Sequence, residues 1–170
     1  IVGPYGSGKS TTALFLYYYL TNSLPKDFEK ELKNHSIEKL PSPYSAKDIK
    51  VIVGHKISLE KSLKRNFGIK KSLINHIKDH YIKKDKPLVL LIDEFGKYLE
   101  FSSDDPKNGD VYVLQELAEL ASRSNGLIKV VTIRHQSIMG YFSGMKGSFL
   151  NEWKKIQGRF HDIVHSNSIE

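Results

Sequence analysis

The stretch Gly3-Pro4-Tyr5-Gly6-Ser7-Gly8-Lys9-Ser10 restricts this chain more than any other, because it fits G-x-x-x-x-G-K-[ST], the P-loop or Walker A pattern. Glycines let a backbone wrap closely around a polyphosphate, and successive N–H groups in such a turn aim positive dipoles at it. Lys9 is then placed to reach the β and γ phosphates, and the Ser10 hydroxyl to ligate Mg²⁺. A helix opening at Ser10 adds its N-terminal dipole, so the expected phosphate-contacting set runs from Gly3 to Thr11. The competing explanation is an accidental glycine-rich turn. At ordinary residue usage such a match recurs in roughly one chain of this length in two hundred.

A second anchor lies downstream. Leu88-Val89-Leu90-Leu91-Ile92 is an uninterrupted apolar run that ends in Asp93-Glu94. That pattern describes a buried parallel strand whose carboxyl end delivers acids into a crevice, the Walker B form. Asp93 is the expected Mg²⁺ support, acting through water, and Glu94 the group that orients and deprotonates an attacking water. Alone, Asp93 reads equally as a strand-end turn residue. An acid pair following a P-loop in the same domain does not.

The 170 residues suffice for one domain with a well-buried core. Hydrophobic residues make up 39% and charged residues 26%, as in globular proteins, and no apolar run approaches a membrane span. No targeting or lipidation segment is visible, so the cytoplasm is the expected compartment. Without cysteine there are neither disulfides nor thiolate metal sites. The formal charge of +7 suits an anionic partner such as a nucleotide or nucleic acid, but the lysines are interleaved with acids, as on solvated helix faces. His76 and His80 stand four apart, yet Ile77 follows His76 and H-E-x-x-H is not met, so they read as a solvent-facing polar pair.

Along the chain, residues 10–20 are apolar on nearly every face and predict a buried helix. A short charged helix follows near Lys26 to Lys33, and Pro41-Ser42-Pro43 interrupts regular structure. Ile49 to Ile57 predicts a strand, and Ser58 to Lys84 two helical stretches broken at Gly68. Phe101 to Gly109 reads as a polar loop and Asp110 as the N-cap of a helix with Leu114, Leu117, Ala118 and Ala121 on one face, stopped by Gly126. Leu127 to Ile133 predicts another strand, with Arg134, His135 and Gln136 at its carboxyl end, where a parallel sheet presents ligand-contacting groups. A mobile loop between Gly140 and Gly147, a helix capped by Ser148 with Phe149, Trp153 and Ile156 inward, and a strand at Ile163-Val164 complete the expectation.

P-loop, apolar strand ending in Asp-Glu, polar strand end and Gly158-Arg159-Phe160 before a last strand together resemble the nucleotide-binding core of the AAA+ ATPases and the related STAND signalling ATPases. The resemblance implies an α/β fold, a three-layer αβα P-loop NTPase with a mainly parallel five-stranded sheet in order 5-1-4-3-2. It also implies one domain over 1–170, a core taken from a longer protein and lacking the lid and its sensor 2 arginine. By the same resemblance Arg159 matches the arginine finger acting on a neighbour's γ phosphate, and His135 or Gln136 matches sensor 1. Arg134 is the counterpart if the STAND branch is the better match. The stretches Ile92 to Glu100 and Trp153 to Phe160 are also similar to large prokaryotic ATPases of mobile-element and phage-defence settings.

The function implied is Mg²⁺-dependent binding and hydrolysis of ATP, driving conformational change in a self-associating dimer or ring with other domains of a longer chain. One alternative is a STAND-like switch that binds nucleotide and turns over too slowly to matter. A nucleic-acid-dependent motor is another, supported by the basic charge alone. No membrane partner is expected.

Overall fold

The computed structural model describes residues 1–38, 44–106, 110–145 and 147–165. Three strands, β1 (Ile49–Val53), β2 (Leu88–Asp93) and β3 (Ile128–Thr132), form a parallel sheet in the order β1-β2-β3. Ile52 pairs with Ile92, and Ile92 with Thr132, so the three carboxyl ends are level at one rim of the sheet. The helices are α1 (Lys9–Leu20), α2 (Lys26–Asn34), α3 (Leu59–Phe67), α4 (Leu73–His80), α5 (Gly96–Asp104), α6 (Val111–Arg123) and α7 (Ser148–Gln157).

Strand β2 is central, and its side chains divide by strand periodicity. Leu88, Leu90 and Ile92 enter a large core cluster with Leu63 of α3, Ile77 of α4, Leu99 of α5, Leu117 of α6 and Trp153 of α7. Val89 and Leu91 point the other way, into a smaller cluster with Ala13, Leu16 and Leu20 of α1. Burial on both faces is the physical reason for an uninterrupted apolar run, and each such side chain contributes about 1.5–3 kcal/mol. Strand β1 has β2 on one side only, and its Val51 and Val53 are exposed.

The expected five-stranded sheet in order 5-1-4-3-2 is overturned: the α/β class stands, but among the described residues the sheet has three strands. Val2, just ahead of the glycine-rich loop, makes isolated parallel bridges, to Arg134 and to Val164, and no strand. Gly3 and Pro4 follow it at once, and proline has no N–H to extend a ladder. Ile163 and Val164, expected to form a last strand, are 66% and 72% exposed, so no packing holds a longer segment straight.

Smaller corrections have local causes. Helix α1 buries Lys9 and Ala13 but leaves Leu14 exposed, so it lies on the sheet rather than within the core. Residues Phe101 to Asp104, read as loop, continue α5, because Leu99 and Ser102 keep its inner face in the core. The β1 segment ends at Val53, short of Ile57, where Gly54 turns the chain. Residues 140–142, the start of the expected mobile loop, belong to a 3₁₀ turn over Ile138–Phe142, whose Phe142 ring stacks on Trp153 at 4.2 Å. Gly147 rather than Ser148 is the N-cap of α7. Ser58 and Ser72 cap α3 and α4, and Gly68 closes α3 in the left-handed region (φ 66°), which a side chain would strain. The Pro41-Ser42-Pro43 break lies outside the described residues. Among the described residues no helix is long and apolar enough to cross a membrane.

Candidate functional site

The loop from Gly3 to Gly8 joins the Val2 bridges to α1 and curls because two of its glycines, Gly6 (φ 74°) and Gly8 (φ 80°), take left-handed conformations. Gly3 serves a different need, since a Cβ there would overlap the carbonyl oxygen of His165. Lys9 is the first residue of α1 and only 6% exposed. Its ammonium donates to the Pro4 carbonyl and lies 3.4 Å from Ser7 Oγ, which itself donates to Pro4 O at 2.9 Å. Among the described residues no carboxylate pairs with Lys9. A buried cation held by one carbonyl and one hydroxyl is an incomplete arrangement that an anion would complete. Behind the loop, Thr12 Oγ1 donates to Gly8 O and sits 3.1 Å from His165 Nε2, tying the first turn of α1 to the segment after α7.

At the rim, β2 ends in Asp93 and the chain turns at Glu94, whose φ of 51° is unusual for a residue with a side chain. Asp93 Oδ1 accepts the Glu94 N–H at 2.8 Å, which secures the turn. Gly54 N–H donates to Asp93 O at 2.8 Å, and Phe95 N–H to Ile133 O at 2.9 Å. These bonds clamp the turn between the ends of β1 and β3. A Cβ at Gly54 would overlap the Glu94 carbonyl, and one at Gly96 would overlap the Tyr141 hydroxyl.

Loop and acid pair face one cavity of about 340 Å³, lined from the loop side by Tyr5, Gly6, Gly8, Lys9, Ser10 and Thr11. Asp93, Glu94, Ile133, Arg134 and His135 line it from the strand ends. Of the phosphate-contacting residues expected from the sequence, Gly3, Pro4 and Ser7 are absent from the lining. Pro4 O and Ser7 Oγ are hydrogen-bonded to each other within the loop, and Gly3 lies against His165.

The candidates after β3 divide. His135 stacks on Tyr5 with ring centroids 3.5 Å apart and 26° between planes, and its Nε2 is 3.6 Å from Glu94 Oε2. Arg134 lines the cavity, but its side chain is 1% exposed and its guanidinium pairs with Asp162 and donates to Thr132 Oγ1 at 3.2 Å. Gln136 is exposed and packs against Gly140, away from the lining. Arg159 lines a separate cavity of about 240 Å³ and pairs with Glu119 of α6 at 2.7 Å. The sequence reading missed Gly54, Gly96, Tyr141 and Asp162. Only Gly54 carried a signal, a glycine inside the predicted Ile49 to Ile57 strand, which marks a bend or a close backbone approach.

Magnesium is bound in such sites by one or two protein oxygens, with substrate phosphates and water supplying the rest. Ser10 and Asp93 on one cavity are a donor set of that kind, and the absence of a larger metal-ligating cluster among the described residues is compatible with it. His76 and His80 stack on one another at 4.2 Å on α4, and burial pushes the His76 imidazole below its ordinary value, with His80 adding to the shift. Searches of protein-family models, curated proteins and solved structures gave no match to this chain.

Proposed function

We propose that this cavity binds Mg·ATP and that the chain hydrolyses its β–γ bond. The observation that carries the reading is Lys9: a nearly buried ammonium with no carboxylate partner among the described residues, on a glycine loop, facing the same cavity as Asp93 and Glu94. The loop N–H groups and Lys9 would hold the β and γ phosphates, and Ser10 and Asp93 would hold Mg²⁺. Bound there, the ion offsets negative charge on the phosphate oxygens. Glu94 takes the proton of the attacking water as its oxygen bonds to the γ phosphorus and the bond to the ADP oxygen breaks. The reading depends on the two motifs sharing a cavity, not on the number of strands. The resemblance to AAA+ and STAND ATPases supports a module working within an assembly, and the cytoplasm is where its substrate would be met.

The test is Glu94→Gln beside wild type in ATP binding and steady-state hydrolysis. Binding should stay within about threefold while turnover falls by about 10²–10⁴-fold. Unchanged turnover would remove Glu94 from the base role, and failure of wild type to bind ATP would end the reading.

A second reading, a nucleotide-gated switch, rests on the contacts of Lys9 with its own loop, at Pro4 and Ser7, which a bound phosphate would replace. Tight ATP binding without turnover at any protein concentration would select it.

A further inference from the structure

The carboxylate of Glu94 is held less firmly than the backbone that carries it. The turn is clamped by Gly54, Asp93 and Phe95, whereas the side chain is 37% exposed and its near neighbour is the His135 ring. Among the described residues no hydrogen bond orients that ring: both its nitrogens are buried without a partner there, and Nε2 stands just beyond bonding distance of Glu94 Oε2, at 3.6 Å. What lies flat against it is Tyr5 of the phosphate loop, at 3.5 Å, although Tyr5 is itself 74% exposed. A large aromatic on an exposed loop has no reason of its own to be ordered, so the stack is the contact that ties Tyr5 to the strand ends.

We propose that Tyr5 is a positioning residue that sets the Glu94 carboxylate through His135, so that the state of the phosphate loop is transmitted to the acid at the end of β2. The chain of contact is continuous: Tyr5 neighbours Pro4, whose carbonyl holds the Lys9 ammonium, and Tyr5, His135 and Glu94 face the same cavity. An anion that draws Lys9 off Pro4 changes the loop where Tyr5 is attached, shifts the stack, and brings Nε2 to or from the carboxylate. Tyr5 need not touch the nucleotide. For its kinetic consequence this rests on the ATPase reading above; for the contact itself it does not.

The first measurement is NMR on the labelled chain without nucleotide, following the His135 ring protons and the Glu94 carboxyl carbon. Tyr5→Ala should remove the ring-current shift at His135 and move Glu94, while adding Tyr5→Ala to His135→Ala should move Glu94 no further. A Glu94 resonance indifferent to Tyr5→Ala, or shifted equally with and without the imidazole, overturns the proposal. The second is kinetic. Tyr5→Ala should lower kcat by about ten- to a hundredfold with KM within about twofold, Tyr5→Phe should recover most of that loss, and the Tyr5→Ala and His135→Ala effects should not add. A change confined to KM, or full additivity, overturns it by making Tyr5 a direct ligand contact. If wild type neither binds nor hydrolyses ATP, the functional reading fails and the spectroscopic comparison still decides the role of Tyr5.

Discussion

Asp110 shows how far a residue's role can move from its place in the chain. Its position before α6 predicts a cap for that helix, but its carboxylate accepts from Ser58 Oγ at 2.8 Å, from Glu60 N–H at 3.1 Å and from Leu59 N–H, capping α3 instead. Burial pushes its carboxyl above the ordinary value, outweighing those donors, which pull it down. Because the folded value exceeds the unfolded one, the native state keeps the proton longer. The stability this group contributes is therefore full below the unfolded pKa and falls as pH rises through the folded one. Urea midpoints of wild type and Asp110→Asn, compared from about pH 3 to pH 7, should show wild type losing ground to the variant as pH rises. A constant difference would mean the carboxylate is fully compensated. Lys9 and His135 belong to the same scale: residue type makes them candidates, but their partners at Pro4 and Tyr5 come from the shape of the loop.

At the scale of elements, the strands are instructive for what they needed around them. The Leu88 to Ile92 run is legible because a strand buried on both faces has to be apolar throughout, and its end at Asp93 was likewise legible. Val2 and the Ile163-Val164 pair carry β-forming residues without a face to bury, and each makes bridges rather than strands. The turn after β2 depends on an element distant in sequence, through the close approach of Gly54 at the end of β1. Gly54→Ala should therefore cost about 1–3 kcal/mol in urea unfolding and lower turnover more than ATP affinity, because the displaced atom belongs to Glu94. A Gly54→Ala chain with wild-type stability and turnover would show that the turn tolerates the added carbon.

For the molecule as a whole, the sheet separates a broad helical face from the α1 face, and the level carboxyl ends bring loop and acids to one rim. Arg159 lies away from that rim, paired with Glu119, and both side chains are about a third exposed. Breaking a pair of that exposure costs at most about 1 kcal/mol, small enough for assembly to redirect the guanidinium. If Arg159 acts on a neighbour, turnover per subunit should climb with protein concentration in wild type and stay flat in Arg159→Ala, with ATP affinity of the isolated chain within about twofold. Mixing Arg159→Ala with Lys9→Ala should restore part of the rise. Concentration-independent turnover in wild type would leave Arg159 as a tie between α6 and the end of α7.

By itself the sequence determined the glycine-rich loop, the acid pair, the α/β alternation and the central apolar strand. Each is a local pattern in which spacing dictates backbone conformation or burial. Only the tertiary structure decided the number of strands, the turning of Arg134 toward Asp162 and of Arg159 toward Glu119, and the stacking of Tyr5 on His135. Those outcomes depend on which surfaces meet across long sequence separations, and a side chain's partner is chosen by packing and electrostatics that no local window contains.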